Sequence, residues 1–250
     1  MKSEILIDYL DDSFKAFATK DPSRNGMQIQ APAEVKKLGF AVDACMATLQ
    51  KCSELSVDLL IVHHGLFWRN VELVVNQHYQ RLKFALEHEI GLYAMHLPLD
   101  AHPVLGNNAQ LAELFNPDET EPFAYEDGID LGVIASFGSP VLRESISDVL
   151  RSELDSDPHV LPFGPDKVSK LGIISGAGGS YFPDAIDAGC DSFLTGEPEH
   201  VLYHVALERG VNVFFGGHYA TETVGVKALM STIAQEFDVE TVFIDYPTGL

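Results

Sequence analysis

Six side chains able to bind metal ions follow three separate apolar segments of this 250-residue chain. The first segment ends in two adjacent histidines, and the other two each end in a histidine with a carboxylate four residues further on. The six residues are His63, His64, His96, Asp100, His218 and Glu222. Imidazole and carboxylate ligands together suit Zn, Fe, Mn, Ni or Co and do not distinguish among these metals.

The adjacent histidines indicate two metal ions rather than one. Two neighbouring side chains in a turn can point in different directions, so His63 and His64 can each reach a different ion. A carboxylate can bridge two cations through its two oxygens, and Asp100 or Glu222 could do so. Two ions about 3.5–4 Å apart can activate a shared water and hold a substrate oxygen.

Taken singly, each segment has a plainer interpretation. The pair His63–His64 could be a strand end with one buried and one exposed histidine, and the other two segments could be helix-capping or surface pairs. Three such segments at three strand ends favour the metal site, because functional sites are where ligand-bearing and titratable groups cluster.

The segments that must position these residues alternate between predicted strands and helices. Typical strands are "KLGFAVDA", "DLLIVH" and "GLYAMH", and typical helices are "MATLQKCSEL" and "HYQRLKFALEHE". Strands separated by helices of about a dozen residues favour parallel sheets. In such α/β sheets ligands bind beyond the carboxyl ends of the strands, which is where all three segments fall.

An internal similarity predicts two related α/β lobes. Residues 35–65 align without a gap with residues 168–198 and share Val, Lys, Leu, Gly, Ala and Asp. The second half carries Gly196–Glu197 where the first carries its histidine pair. We therefore expect one unit over 1–250 with mainly parallel sheets, lobes of approximately 1–120 and 121–250, and a metal site between them. The polar stretch 115–128 is predicted to connect the two lobes.

Two residues of the second half are weaker candidates. Glu197 and His200 follow the strand that corresponds to the one before the histidine pair, which makes them candidates for substrate binding or proton transfer. The alternative for His200, and for His204 one turn later, is an exposed helix surface. The glycine-rich "SGAGGS" (175–180) lacks both GxGxxG and the P-loop pattern and is predicted to be a tight turn.

Composition restricts the partners. The chain has 37 acidic and 16 basic residues and a formal net charge of −21, with no evident cluster of basic residues along the sequence. Such a surface argues against duplex nucleic acid and anionic membranes and leaves a small-molecule substrate as the expected partner. No apolar run approaches the roughly 20 residues that cross a bilayer, the N-terminus has no signal-peptide pattern, and the three cysteines lack CxxC spacing. These features predict a cytoplasmic protein.

The sequence also resembles a known family, the YbgI-type dinuclear metal-centre proteins. This Nif-three-like family is also catalogued as GTP cyclohydrolase type-two homologues. The resemblance covers nearly the whole chain, and the region of about 120–165 is the least similar. The matching blocks, in order, are "NGMQI", "DLLIVHHGLFW", "MHLPLDAHPVLGNNAQLA", "TGEPEH" and "GGHYATETVGVKAL".

The resemblance implies a two-lobed α/β fold with two divalent metal ions between the lobes, and a toroidal homohexamer. The family's metal ligands correspond here to His63, His64, Asp100, His218 and Glu222. His96 matches the histidine of the family's "HLPLD" block, either as a sixth ligand or as a residue that supports the ligands.

The expected activity is that of a metal-dependent hydrolase. A hydroxide that bridges the two ions would attack a C–N or P–O centre of a small molecule, for which the family name suggests a nucleotide or a pterin-like compound. With 16 basic residues in the chain, a triphosphate would depend heavily on the metal ions. The alternative is a non-catalytic metal-binding scaffold or metal-handling protein, and hydrolysis of amide or peptide bonds is a third class.

Overall fold

A computed structural model describes residues 1–70 and 72–250 of the chain and divides them into two compact units. The first unit comprises Met1–Leu99 and Val226–Tyr246, and the second comprises Asp100–Gly225 and Pro247–Leu250. This division differs from the predicted boundary near residue 120, because the chain leaves the first unit about twenty residues earlier and returns to it near the C-terminus.

The helices and strands follow one another along most of the chain. In chain order they are α1 (Ser3–Phe14), β1 (Gly26–Ile29), β2 (Lys37–Asp43), α2 (Met46–Leu55), β3 (Leu59–His64), α3 (Asn76–Glu87), β4 (Gly91–Ala94), α4 (Leu97–Ala101), α5 (Asn107–Glu113), β5 (Glu119–Glu126), β6 (Ile129–Leu142), α6 (Arg143–Leu154), β7 (His159–Pro162), β8 (Lys167–Ile173), α7 (Phe182–Asp187), β9 (Ser192–Thr195), α8 (His200–Arg209), β10 (Asn212–Phe215), α9 (His218–Thr221), α10 (Thr223–Glu236) and β11 (Glu240–Phe243).

The first unit contains a five-stranded sheet of order β1-β4-β3-β2-β11. All neighbours are parallel except β1, which pairs antiparallel with β4 at one edge. Buried side chains of α2 and α3, including Leu49 and Ala85, form a core with Leu60 and Leu92 of the sheet. The mainly parallel pairing predicted for this half is confirmed. Strand β11 was expected in the second half, but it pairs with β2 and therefore belongs to the first sheet.

The second unit contains a six-stranded sheet of order β5-β6-β8-β9-β10-β7. Only β8–β9 and β9–β10 are parallel, and the outer pairs are antiparallel, so this sheet is mixed rather than mainly parallel. Successive residues of the central strands face opposite sides, with Phe193 in one core beside α7 and α8, and Leu194 in another beside α5 and α6.

The stretch 115–128 was predicted to be a connection, and that interpretation is wrong. It contains β5, which pairs with β6 from Glu119↔Ser136 to Glu126↔Ile129. Only Phe123 and Ala124 of this strand are buried, and the surrounding residues are exposed. An edge strand with so few buried positions has the composition of a loop, which explains why its sequence pattern is misleading.

The internal similarity corresponds to a repeated arrangement. The aligned segments form β2–α2–β3 in one unit and β8–α7–β9 in the other, each with its two strands paired in parallel. The next strands, β4 and β10, then add in parallel beside β3 and β9. Both units are therefore α/β structures of related construction, as predicted. Within the described part of the chain, no helix combines the length and the apolar character that a membrane span requires.

Candidate metal centre

Three histidines of the first unit lie together at the ends of two neighbouring strands. His63 and His64 are the last residues of β3, and His96 follows β4 after Met95. Ring centroids are 4.6 Å apart for His63–His64, 5.0 Å for His63–His96 and 5.5 Å for His64–His96. One ring nitrogen from each lies within 4.8 Å of those of the other two, which is a group that could hold a metal ion. We call these three residues the histidine cluster.

Each ring of the histidine cluster is held by a hydrogen bond at Nδ1. The acceptors are the carbonyl of Met95 for His63 (3.0 Å), the carboxylate of Asp43 for His64 (2.9 Å) and the carboxylate of Asp21 for His96 (2.7 Å). A carbonyl or carboxylate oxygen accepts only, so each neutral ring carries its proton on Nδ1 and its lone pair on Nε2. Metal-binding histidines in proteins are oriented in this way.

Strand pairing explains two of these acceptors. In the parallel pair β2–β3, Asp43 lies opposite His64, so both side chains emerge at the same edge of the sheet. The backbone N–H of Met95 donates to the carbonyl of Val62 at 2.9 Å, which continues the β4–β3 ladder beside His63. The register of the sheet therefore places an acceptor next to each histidine of the pair.

The third acceptor, Asp21, comes from the turn before β1 and is buried. Besides His96 it accepts hydrogen bonds from the Asn25 amide and from the backbone N–H groups of Ser23 and Leu97. Burial tends to raise the pKa of the Asp21 carboxyl, but the hydrogen bonds from His96, Asn25 and Ser23 outweigh it, so the pKa lies below its ordinary value. A carboxylate held in this way is a strong acceptor for the His96 ring.

In the second unit, His218 and Glu222 form a contact pair. His218 begins α9 directly after β10, and Glu222 ends the same turn with its side chain almost fully buried. His218 Nε2 lies 3.1 Å from a Glu222 oxygen, and Nδ1 lies 2.6 Å from the carboxylate of Glu197. The predicted Glu197 is therefore in the site, as the acceptor that orients His218.

Two carboxylates make His218 retain a proton. Burial lowers the pKa of His218, but the hydrogen bonds and charges of Glu222 and Glu197 outweigh it and raise the pKa to about 9. The positive charge thereby sits between two carboxylates, one of which is buried. A divalent cation on Nε2 and Glu222 would supply that charge in place of the proton.

Asp100 belongs to the same unit and is also buried. Its Oδ1 accepts from the Asn107 amide at 2.8 Å and from the Ser175 hydroxyl at 3.2 Å. The residue after Ser175 is Gly176, whose N–H donates to the Thr221 hydroxyl in α9. Asp100 is thus linked through the turn after β8 to the segment that carries His218 and Glu222.

This turn needs glycine at position 176. Gly176 has φ +58°, and a Cβ atom there would lie 2.2 Å from Glu222 Oε1 and 3.2 Å from His218 Nε2. Its carbonyl accepts from the N–H groups of Gly196 and Glu197. The stretch "SGAGGS", interpreted from the sequence as a tight turn, is in the site because it passes directly against Glu222.

The structure does not bring His200 into contact with these residues. His200 is exposed at the start of α8, and its ring packs against His204, with centroids 6.1 Å apart. Trp68 contacts the histidine cluster, with its ring centroid 5.3 Å from that of His96.

The sequence interpretation missed the residues that hydrogen-bond to the candidate ligands, namely Asp21, Asp43, Asn107 and Ser175. Asp43 could have been found, since it ends the predicted strand next to the one that carries His64. Asp21 has no such signal, because it lies in an irregular turn 75 residues from His96.

The donor set fits transition-metal cations. The first unit offers three imidazoles whose lone pairs are on Nε2, and the second offers one imidazole and two buried carboxylates. Buried carboxylates are costly unless they are hydrogen-bonded, paired or bound to a cation. Nitrogen and oxygen donors of this kind suit Zn, Fe, Mn, Ni or Co.

The chain is similar to proteins of one family. The model of the family Duf34/NIF3 (NGG1p interacting factor 3) matches residues 1–249. A Pyrococcus abyssi protein named GTP cyclohydrolase 1 type 2 homolog is 41% identical over 251 residues, with 100% of both chains covered.

Two solved structures superpose on this chain over its whole length. The crystal structure of TTHA1606 from Thermus thermophilus superposes with a TM-score of 0.91 at 40% identity, covering 100% of both chains. The structure of protein ybgI, described as of unknown function, gives 0.93 at 32% identity, also with 100% of both chains covered.

The hydrogen bonds at Nδ1 predict the tautomers of His63 and His64. In metal-free protein, ¹⁵N NMR should show both neutral rings protonated on Nδ1, the tautomer that free histidine in water populates less. Exposed His200 serves as the control and should show the ordinary solution pattern. Protons on Nε2 of His63 and His64 would contradict the orientation described above.

The contact at Gly176 predicts an unequal effect of two glycine substitutions. Gly176→Ala and Gly210→Ala place alanine at similar positive φ values, +58° and +64°, which costs about 1–2 kcal/mol in each. Only Gly176→Ala also crowds Glu222, so it should lose about 1–3 kcal/mol more of the free energy of unfolding. Urea denaturation monitored by circular dichroism measures the free energy of unfolding of both variants. Equal losses would show that the Glu222 side chain moves away from the new methyl group without loss of stability.

Proposed function

Because the chain belongs to the Duf34/NIF3 family, we propose that it binds two divalent metal ions and acts as a metal-dependent hydrolase on a small molecule. The relatives' name, GTP cyclohydrolase 1 type 2 homolog, supports a hydrolytic role. The observation that carries the proposal is the hydrogen bond at Nδ1 of all four histidines, which leaves the lone pair or a displaceable proton on each Nε2.

The proposed ligands come from both units. They are His63, His64, Asp100, His218 and Glu222, with His96 as a sixth ligand or as support for the others. Neither unit alone supplies a mixed set for two ions, since one contributes imidazoles and the other mainly carboxylates. Together, the imidazoles of the first unit and the imidazole and carboxylates of the second would supply enough ligand atoms for two ions. The carboxylates of Asp100 and Glu222 would also partly neutralise the charge of the two cations.

When bound, two such ions would supply Lewis-acid polarisation of a substrate oxygen and activation of water. The residues of the chain do the remaining work. Asp21, Asp43 and Glu197 hold Nδ1 protons and so keep three rings in one orientation. The Glu197 side chain is 45% exposed, so it is the carboxylate proposed to pass a proton to or from the substrate. His200 is proposed as a substrate contact near Glu197.

Nucleotides and pterin-like compounds are the substrates that the relatives' name suggests, and reaction at a C–N or P–O bond follows from that choice. Metal binding without turnover would instead assign the chain to metal storage, metal transfer or a scaffold. We further propose that the protein is a cytoplasmic homohexamer. Three cysteines with no disulfide support the location, and the family resemblance supports the assembly.

Metal content tests the site. Wild-type protein purified without added metal or chelator should carry about two equivalents of transition metal per chain by plasma mass spectrometry, and Glu222→Ala about one or fewer. Glu208→Ala, which removes an exposed glutamate from α8, is the matched control and should keep the wild-type content. Gel filtration with light scattering verifies that the variants are folded and reports the number of subunits. Wild type that holds no metal, even after reconstitution, would remove the basis of the proposal.

Turnover separates the hydrolase from a metal-holding protein. The metal-loaded protein should hydrolyse at least one member of a panel of nucleotides, pterins, phosphoesters and amides. Glu197→Gln should retain the metal but lower kcat by roughly 10²–10⁴, as expected for removal of a proton-transfer group. Full metal content with no turnover across the panel would favour storage, transfer or a scaffold.

A further inference from the structure

A cleft in the first unit gathers an unusual share of the chain's positive charge. It lies beside the C-terminal half of α1 and the start of β1 and has a volume of about 940 Å³. Four of the 16 basic residues in this chain of net charge −21 line it. They are Lys15, Lys20, Arg24 and Arg69. The cluster is not apparent in the sequence, because Arg69 comes 45 residues after Arg24.

The two arginines are fixed by the backbone. Ser23 and Trp68 form an antiparallel bridge, and the N–H groups of Arg24 and Arg69 donate to the carbonyls of Phe67 and Pro22. The Arg24 guanidinium donates to the Arg69 carbonyl at 3.2 Å. Among the residues that the structure describes, neither guanidinium forms an ion pair with a carboxylate. Two such side chains on neighbouring segments can bind one anion by charge-assisted hydrogen bonds.

Three carboxylates also line the cleft, and two of them have other partners. Asp21 accepts hydrogen bonds from His96, Asn25 and backbone N–H groups. Asp11 accepts one from the Tyr93 hydroxyl at 2.6 Å. Asp12 is the third. Four cations against three carboxylates leave the cleft slightly positive in a strongly acidic protein, which favours an anionic ligand there.

Part of the remaining wall is apolar. Phe14, Ala18, Met95 and Pro98 line the same cleft. Its volume is at the upper end of the roughly 300–1,000 Å³ typical of small-molecule sites. A polyanion such as nucleic acid would extend beyond the cleft onto the acidic surface, so the ligand must be small enough to stay inside it.

We propose that this cleft binds a small phosphate ester with an apolar or aromatic body, whose phosphate is held by Arg24 and Arg69. Asp21 and Met95 line the cleft and also hold the Nδ1 atoms of His96 and His63. The bound molecule therefore lies behind the histidine cluster, on the side away from the Nε2 atoms. Binding needs no metal, so the inference stands apart from the proposed hydrolase activity.

Calorimetry with phenyl phosphate tests the inference on the full-length protein, both as purified and after removal of metal with EDTA. Phenyl phosphate should bind both samples with a Kd of about 1 mM or tighter. The double variant R24Q/R69Q should bind it at least roughly tenfold more weakly. Arg209→Gln removes an exposed arginine from α8 and should bind like wild type. Phenol, which lacks the phosphate, should bind much more weakly than phenyl phosphate.

Several outcomes would overturn the inference. They are no binding in either sample, binding that disappears with the metal, and binding that R24Q/R69Q leaves unchanged while the variant keeps the wild-type circular dichroism spectrum. Amide NMR shifts locate the ligand, and we expect them at Ala18 and Met95. Shifts confined to residues 196–222 would place the anion in the other unit and contradict the cleft.

Discussion

The arrangement of the candidate centre depends on one constraint, which is that every histidine in it donates its Nδ1 proton to a fixed oxygen. An imidazole without such an acceptor can rotate and exchange tautomers, and its Nε2 lone pair then has no fixed direction. The chain meets this constraint with one carbonyl and three carboxylates. Those carboxylates in turn need support, and Asp21 shows how it is supplied, by two backbone N–H groups and an amide besides the ring.

The two related units meet the constraint in different ways at aligned positions. In the first, Asp43 at the end of β2 holds His64 at the end of β3. The position that aligns with Asp43 is Gly176, and the one that aligns with His64 is Glu197. The second unit therefore has its supporting carboxylate just after β9, where it holds His218 at the start of α9. Glycine at 176 leaves the space that Glu222 occupies.

Sequence periodicity could single out the candidate ligands, because all of them end or follow strands whose apolar runs are easy to recognise. It could not predict residues placed by tertiary contact. Asp21 sits in an irregular turn and reaches His96 only through the fold, and Arg24 and Arg69 meet only because residues 22–24 run beside 67–69. Strand β5 was missed since it buries two residues, and β11 was assigned to the wrong half since its pairing with β2 spans the whole chain.

The proposed ligands also lie close to the places where the chain passes between units. The first crossing occurs within α4, which begins directly after His96 and contains Asp100. The second occurs within α10, which begins directly after Glu222. A cation bound by residues on both sides of such a crossing stabilises the folded state of both units, because metal binding to the native state adds to the free energy of unfolding. The metal would then serve the fold as well as the chemistry.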